Sequence, residues 1–148
     1  MLAEVDRLAG PNMSMLDVGC GSGVLAIAAA RLGAGPVVGI DVEADAVAWT
    51  RTNAAANAVD VSASTTAITD VPGTFDLVLA NVLPVVHDAI ASAVAARRAE
   101  QGVLVVSGIP DEHADRVVGC YSAFGLIEER RTSLDGWTAA VLTGPVVG

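Results

Sequence analysis

The residues of this chain that are best suited to chemistry stand in one short run and at two later positions. The run Asp17–Gly23 contains three glycines at alternate positions, Gly19, Gly21 and Gly23. A turn built from glycine bends sharply and brings backbone N–H groups close to an anionic ligand. Asp41 comes 22 residues after Gly19, which suits a carboxylate that accepts hydrogen bonds from the two hydroxyls of a ribose. Asn81 follows the apolar run 75–80 and offers an amide that both donates and accepts hydrogen bonds.

Short apolar strands and helices alternate around these residues. A helix is predicted before residue 10, and further helices at residues 24–31, 43–57, 85–98 and 111–124. Strands are predicted at residues 15–18, 37–40, 61–66, 75–80, 103–106, 126–131 and 137–142. Only the polar turn 133–136 joins the last two strands, so at least one of them must run antiparallel to the rest.

This order of elements predicts an α/β fold, a Rossmann-like doubly wound sheet of about seven strands. Strands that are apolar on both faces favour a mostly parallel sheet covered by helices on each side, here with an antiparallel C-terminal strand. Ligands of such sheets bind beyond the carboxyl ends of the strands. Since the glycine turn, Asp41 and Asn81 each follow a predicted strand, we expect all three to meet at one site.

Composition argues against a nucleic-acid-binding role for this domain. The chain carries 17 acidic residues against eight basic ones, all of them Arg, for a net charge of −9. Such a surface repels a phosphate backbone, and an aromatic content of 3% leaves few rings to stack on bases. We therefore expect no direct contact with nucleic acid, while a cationic protein partner is compatible with the charge.

The sequence also predicts a cytoplasmic protein without a metal centre. The apolar residues are broken by Gly, Pro, Asp and Asn, so no run approaches the roughly 18 residues that a membrane span needs. Acidic residues stand at the N-terminus, where a signal peptide would carry positive charge. Cys20 and Cys120 lack close Cys or His neighbours and are interpreted as free thiols.

The glycine turn and Asp41 alone leave more than one interpretation open. A nicotinamide dinucleotide site also joins a glycine turn to an acid about 20 residues later. Its pattern is G-x-G-x-x-G/A, whereas Val24 stands at the sixth position here and the third glycine comes one residue early. A glycine-rich turn also occurs where a strand and a helix simply pack closely, but the coincidence of turn, acid and strand order argues against packing alone.

The sequence closely resembles class I S-adenosylmethionine-dependent methyltransferases, and among them the ribosomal protein L-eleven methyltransferase (PrmA) family. The glycine turn is typical of the whole superfamily, and two later segments narrow the resemblance to this family. The matching segments cover nearly the whole chain: 16–34, 39–41, Asn53-Ala54, Asn57, 75–83, Ser107-Gly108-Ile109 and Trp137. The resemblance implies S-adenosyl-L-methionine as cofactor, no metal, and N-methylation of a protein amine, possibly on a ribosomal protein.

The resemblance also assigns roles to residues of the turn and of the strand ends. It implies cofactor binding by Asp17, Gly19, Gly21, Gly23, Asp41, Asn81 and Thr66, and a catalytic role for Asn81. Asp17 is expected either to accept a hydrogen bond from the cofactor's amino group or to stabilise the loop. At Thr65 and Thr66 many relatives carry an acid for the adenine amino group, so a hydroxyl or a backbone group must serve here. Asn81 is alternatively a cap at the end of its strand.

Four other residues are candidates by type, two histidines and two tryptophans. His87, close to Asn81, could act as a base, but we interpret it as a solvated helix residue. His113 is expected on the surface, and both Trp49 and Trp137 in packed positions. Val82-Leu83-Pro84 provides no aromatic wall for a cationic acceptor, unlike the Asn-Pro-Pro-aromatic motif of other amine methyltransferases.

We expect residues 1–148 to form a single methyltransferase domain. The N-terminal substrate-recognition domain of the family would lie before Leu2, so the resemblance covers only the catalytic core. Two alternatives therefore stay open beside protein methylation. One is a small-molecule methyltransferase on the same core, and the other is a module that binds the cofactor or a partner without turnover. The oligomeric state is not predicted.

Overall fold

The computed structural model of the protein describes residues 1–144, which form a seven-stranded sheet with helices on both faces. The helices are α1 (Leu2–Leu8), α2 (Val24–Arg31), α3 (Ala44–Ala56), α4 (Pro84–Ala95) and α5 (Ala114–Ser122). The strands are β1 (Met15–Val18), β2 (Val37–Ile40), β3 (Ser62–Ser64), β4 (Phe75–Asn81), β5 (Arg98–Pro110), β6 (Ile127–Leu134) and β7 (Trp137–Thr143).

The strands lie in the order β3-β2-β1-β4-β5-β7-β6. Neighbouring strands from β3 to β5 are parallel, and β7 pairs antiparallel with both β5 and β6. The predicted Rossmann-like sheet with an antiparallel C-terminal strand is thereby confirmed. The direction of the chain across the sheet reverses between β1 and β4, and in open sheets a ligand crevice forms at such a point.

The two faces of the sheet bury separate apolar clusters, and β4 contributes to both. Leu77 and Leu79 face a cluster that contains residues of α1 and α2. Val78 and Ala80 face the cluster formed with α4 and α5. Because successive strand residues point to opposite faces, the part of a strand that is covered on both sides is apolar throughout, as residues 77–80 of β4 are.

The β6–β7 hairpin closes with a two-residue turn, Asp135-Gly136. Both residues have positive φ, 51° and 82°, as a turn of type I′ requires. This turn lies within residues 133–136, where the sequence predicts it. No helix within residues 1–144 is both long and apolar enough to cross a membrane.

The packing predicted for the two tryptophans is wrong. Trp49 is 61% exposed because it lies outside the buried stripe of α3, which contains Ala46, Val47, Thr50 and Ala54. Trp137 is 53% exposed because it is the first residue of β7, directly after the hairpin turn. His113 is exposed, as expected.

Candidate cofactor and acceptor site

The glycine turn is fastened to the end of β2 by backbone hydrogen bonds. The N–H groups of Gly19 and Cys20 both donate to the Ile40 carbonyl, at 2.9 and 3.0 Å. The Gly21 N–H donates to Asp41 Oδ2 at 2.9 Å. The turn and the acid that were predicted separately therefore form one unit.

Two of the glycines show why the turn excludes other residues. Gly19 has a φ of 78°, and a Cβ there would lie 2.7 Å from Cγ1 of Val82, in the segment after β4. Gly21 also has a positive φ, 56°, but a Cβ there would meet nothing within 4 Å. Gly19 thus allows the turn to pack against the end of β4, whereas Gly21 faces open space.

Asp41 lies at the centre of the site with both carboxylate oxygens fixed. Oδ1 accepts the Glu43 N–H at 3.0 Å, and Oδ2 accepts the Gly21 N–H at 2.9 Å. A carboxylate oxygen has two lone pairs, so each of these oxygens retains one for a further donor. The carboxylate is therefore oriented in advance to accept two neighbouring hydroxyls.

A cavity of about 590 Å³ opens at the carboxyl ends of β1, β2 and β4. Of the predicted site residues, it is lined by Gly19, Asp41, Thr66 and Asn81; Asp17, Gly21 and Gly23 are not in its wall. Its apolar wall comes from the strand ends, from the segment after β3 and from α4, and includes Val18, Ile40, Val42, Ile68, Val82, Leu83, Val86 and Ile90. A polar centre between apolar walls is the usual make-up of a small-molecule pocket.

Asp17 is fully buried beneath the turn, and neither of its carboxyl oxygens has a hydrogen-bond partner among residues 1–144. Burial raises the pKa of this carboxyl to about 7. The Ala26 N–H, which faces Asp17 without normal hydrogen-bond geometry, offsets part of the rise, and the charge of Asp41 adds to it. An ionised carboxylate without a partner is costly at this depth, so a cationic group brought next to it would be bound favourably.

Asn81 ends β4, and its exposed side chain lies between the glycine turn and β5. A Cβ on Gly19 would lie 3.2 Å from the Asn81 carbonyl, and one on Gly108 would lie 3.0 Å from Asn81 Oδ1. Pro84 begins α4, so the chain turns away from the sheet directly after Val82 and Leu83. The Asn81 amide is thus displayed at the rim of the cavity.

Comparison with known proteins identifies the family. Residues 1–144 match the model of the family described as Ribosomal protein L11 methyltransferase (PrmA). The chain belongs to the PrmA family. The ribosomal protein L11 methyltransferase of Geotalea uraniireducens (strain Rf4) is 47% identical over 123 residues, which are 80% of this chain and 39% of that protein. The chain therefore spans about two fifths of the length of this relative.

Solved structures of methyltransferases share the fold. The crystal structure of ribosomal protein L11 methylase from Lactobacillus delbrueckii subsp. bulgaricus superposes with a TM-score of 0.90 at 27% identity, covering 97% of this chain and 77% of that one. The N-methyltransferase NodS from Bradyrhizobium japonicum WM9, in complex with S-adenosyl-L-homocysteine, gives a TM-score of 0.78 at 18% identity and covers 97% and 85%. The second likeness shows a common fold alone.

Thr66 lies at the far end of the cavity of this PrmA-family chain. It comes two residues after β3, is exposed, and its hydroxyl accepts a hydrogen bond from the Ser64 hydroxyl at 2.8 Å. Thr65 lines the same wall. The Thr66 hydroxyl can therefore still donate a hydrogen bond to a ligand in the cavity.

His87 is not the solvated residue that the sequence suggested. Its ring is fully buried, with Nδ1 at 2.8 Å from the Tyr121 hydroxyl and Nε2 at 3.0 Å from the Ser107 carbonyl. Burial lowers the pKa of His87 in spite of the nearby Ser107 carbonyl and Asp88, so the ring is neutral at physiological pH. Because both nitrogens are occupied, the ring has no free lone pair with which to act as a base.

The sequence interpretation missed two residues that hold the glycine turn. The fully buried Thr50 donates its hydroxyl to the Gly21 carbonyl at 3.0 Å, and Asn53 Nδ2 donates to the Ser22 carbonyl at 2.8 Å. Both are on α3. Polar residues are common on helix surfaces, so the residue types alone do not predict these contacts. Only Asn53 could have been found, because it matches the family resemblance.

The PrmA-family chain has free thiols and no cluster of metal ligands in its described part. Cys20 and Cys120 are both unpaired, and burial raises the pKa of each thiol. No group of three or more His, Cys, Asp or Glu side chains suited to a metal ion occurs within residues 1–144.

Proposed function

We propose that this chain binds S-adenosyl-L-methionine and forms the catalytic core of a methyltransferase that acts on a protein amine, most simply on a ribosomal protein. Membership of the PrmA family supports the reaction class. Because the chain spans about two fifths of its relative, the substrate and the activity are proposals about this chain itself. The cytoplasmic location expected from the sequence also remains a prediction.

The observation that carries the proposal is the match between the polar groups of the site and the parts of the cofactor. Asp41 offers two acceptors for the two ribose hydroxyls. Asp17 offers a buried carboxylate without a partner to the ammonium of the methionine part. Val42, Ile68 and Thr66 offer apolar surface and a hydroxyl to the adenine.

The glycine turn gives the cofactor a fixed surface. Gly21 leaves space where any side chain would project, and its N–H holds Asp41 in place. Gly19 lines the cavity, while Gly23 allows α2 to begin close to Thr50, since a Cβ at Gly23 would lie 2.9 Å from the threonine side chain. We therefore assign Gly19 to the cofactor surface, Gly21 to cofactor binding through the Asp41 carboxylate that it holds, and Gly23 to the packing beneath them.

Methyl transfer depends mainly on alignment, which is the proposed task of Asn81. The bound cofactor supplies a methyl group on a positive sulfonium. The attacking amine must be unprotonated, although the reference pKa of a lysine ammonium is about 10.4. An apolar wall lowers this pKa because it disfavours the charged ammonium form. Val82, Leu83 and Val86 provide that wall. In this proposal Oδ1 of Asn81 accepts a hydrogen bond from an N–H of the substrate amine. That bond points the lone pair of the amine nitrogen toward the methyl group.

Calorimetric titration of the purified chain with S-adenosylhomocysteine tests the cofactor assignment. We expect S-adenosylhomocysteine to bind saturably at one site, and a parallel titration with NAD to show no binding. Binding of NAD but not of S-adenosylhomocysteine would overturn the proposal in favour of a dinucleotide site.

Transfer of a radiolabelled methyl group from the cofactor tests the substrate assignment. The labelled acceptors would be purified ribosomal protein L11, a protein extract, and the small-molecule fraction of the same extract. Label in the ribosomal protein supports the proposal, and label confined to small molecules contradicts it. Binding of S-adenosylhomocysteine without label in any fraction would point to a cofactor-binding module without turnover.

A further inference from the structure

Strand β5 carries a bulge where it passes Asn81. Val106 pairs with Ala140 of β7 and Ile109 pairs with Thr138, so β5 has one more residue than β7 between these pairs. The extra length falls at Ser107 and Gly108, and Gly108 has a φ of 76°. Bulges bend a strand locally and are common next to active sites, where they redirect a side chain.

The bulge is in direct contact with the proposed catalytic residue. Ser107 is the register partner of Asn81 in the parallel β4–β5 pair. A Cβ on Gly108 would lie 2.7 Å from the Val82 carbonyl oxygen and 3.0 Å from Asn81 Oδ1. The backbone at Gly108 therefore forms one wall of the space in which the Asn81 side chain sits, and a shift of the bulge would move that wall.

His87, on α4, forms a hydrogen bond with the backbone of the bulge. A carbonyl oxygen can only accept a hydrogen bond, so the Ser107 carbonyl requires a proton on Nε2 of His87. In the neutral ring, Nδ1 is then an acceptor, and the Tyr121 hydroxyl must donate to it. The Ser107 carbonyl thereby fixes the tautomer of His87, and Tyr121, which is fully buried on α5, donates to Nδ1 and holds the ring in the orientation that makes the bond to Ser107.

We propose that His87 is a positioning residue: through its Nε2–H it holds the Ser107–Gly108 bulge against the Asn81 side chain. This inference rests on the catalytic role proposed above for Asn81. It assigns no chemistry to the imidazole, whose two nitrogens are both occupied. The residues that act together are thus Tyr121, His87, Ser107, Gly108 and Asn81, in that order.

The alternative is that His87 only fills the core between α4, α5 and the sheet. Two substitutions separate these roles. His87→Gln provides an amide N–H that can reach the Ser107 carbonyl, whereas His87→Leu fills the space without a donor. A filling role predicts that Leu is tolerated at least as well as Gln, because an apolar side chain suits an apolar core.

Nuclear magnetic resonance of the Asn81 side-chain amide measures positioning without requiring turnover. The signal pair is assigned as the one that is missing in Asn81→Ala. We expect His87→Leu to shift or broaden this pair and His87→Gln to leave it close to its wild-type position. Unfolding in urea, measured in parallel, reports the stability of each variant separately.

Kinetics provide the second measurement. In His87→Leu we expect kcat for methyl transfer to fall roughly tenfold or more, since a small displacement of a positioning group costs this much. The affinity for S-adenosylhomocysteine should change by less than about twofold, because the ribose and ammonium ligands proposed above, Asp41 and Asp17, lie at the ends of β2 and β1. His87→Gln should restore most of kcat.

Tyr121→Phe tests the same chain of contacts if His87→Leu does not fold. The chain has two histidines, so the imidazole ¹⁵N signals of His87 are assigned by their persistence in His113→Gln. We expect the wild type to show only the Nε2–H tautomer. Tyr121→Phe removes the donor to Nδ1, so it should shift the Nδ1 signal and, because the ring is then held less firmly, broaden the Asn81 amide pair.

An unmoved Asn81 amide pair in both His87→Leu and Tyr121→Phe would overturn the inference, and equal kcat in the Leu and Gln variants would do the same. Failure of the proposed function gives a different result. In that case the wild-type chain does not bind S-adenosylhomocysteine, while the amide and imidazole signals still respond to the substitutions.

Discussion

The two sides of the cavity are built in different ways. On the cofactor side, at the ends of β1 and β2, glycines and one carboxylate fix the site through backbone hydrogen bonds, such as Gly21 N–H to Asp41. On the acceptor side, at the ends of β4 and β5, the backbone is held by buried side chains, through His87 and Tyr121. The rim of this second side is apolar, with Leu83 62% and Val86 36% exposed.

This difference decides which side can be recognised in a sequence. Positive φ at Gly19 and Gly21 strongly favours glycine, so the cofactor side leaves a pattern of residue types at fixed spacing. A buried hydrogen bond such as that between His87 and Tyr121 can be replaced by many other pairs, or by apolar residues of similar shape. The acceptor side therefore leaves no comparable pattern, and it is also the side where substrate choice is expected to lie.

The largest effect expected on the cofactor side is that of Asp41→Ala. Loss of two charge-assisted hydrogen bonds to the ribose, each contributing about 1.5–3 kcal/mol, should weaken binding of S-adenosylhomocysteine by a factor on the order of 100 or more. Because Asp41 also accepts the Gly21 and Glu43 N–H groups, the free energy of unfolding should fall by about 1–2 kcal/mol, and the fold should persist.

Calorimetry and urea unfolding measure these two effects of Asp41→Ala. Asp45→Ala is the matched control, since it removes the same charge from an exposed position at the start of α3. Undiminished affinity in Asp41→Ala would remove the ribose assignment. The cofactor side would then lack the central contact that distinguishes it from the acceptor side.

The strands on either side of the glycine turn were predictable to the residue, and those near the acceptor were not. Apart from Asp17, residues 15–18 and 37–40 are apolar, and these runs end at the turn and at Asp41. Strand β5 instead begins at Arg98, well before the predicted residue 103. Its first residues are polar, and Arg98 stabilises them by donating to the Glu100 and Gly102 carbonyls. The predicted helix 85–98 accordingly ends at Ala95.

The site residues divide in the same way. Asp41, Gly19, Thr66 and Asn81 were predicted and lie in the cavity wall. His87 was misjudged because its partners Tyr121 and Ser107 are 34 and 20 residues away, and its burial depends on how α4 and α5 pack. Helical periodicity indicates which residues share a face, but it does not indicate what a buried ring will bond to.

The next largest effect is a pH dependence that Asp17→Asn should remove. The pKa of Asp17 is raised from 3.8 to about 7 by burial, so the folded protein binds this proton more tightly than the unfolded chain does. The free energy of unfolding should therefore fall as pH rises from about 4 to 7, by a few kcal/mol, and then level off. Asp17→Asn should resemble the wild type near pH 4 and be more stable at pH 8.

Calorimetry then distinguishes the two roles of Asp17. If the carboxylate pairs with the cofactor's ammonium, wild-type affinity for S-adenosylhomocysteine should increase as pH rises through 7, because binding favours the ionised form. Asp17→Asn should bind at least roughly tenfold more weakly at pH 8 and show no such slope. Equal affinity and equal slopes would make Asp17 a loop-stabilising residue, outside the cofactor's reach.

A smaller effect separates two glycines within the same turn. Gly19→Ala should lower the free energy of unfolding by roughly 2–4 kcal/mol, because it combines a positive φ with a Cβ 2.7 Å from Val82 Cγ1. Gly21→Ala meets nothing within 4 Å, so only the backbone strain of about 1 kcal/mol applies. Urea unfolding of the two variants measures the difference, and equal losses would refute the close packing of the turn against β4.

The smallest expected effect is at Thr66, at the end of the cavity that we assign to the adenine. Thr66→Ala removes one hydroxyl at an exposed position and should weaken binding of S-adenosylhomocysteine by roughly two- to fivefold, in line with one neutral hydrogen bond. Thr65→Ala tests the other hydroxyl, on the adjacent position of the same wall. Calorimetry that found no change in either variant would assign adenine recognition to the backbone of residues 65–67. The cofactor side would then bind its ligand through the backbone and through Asp41, without any side-chain hydroxyl. The acceptor side, by contrast, depends on the side chains of His87 and Tyr121.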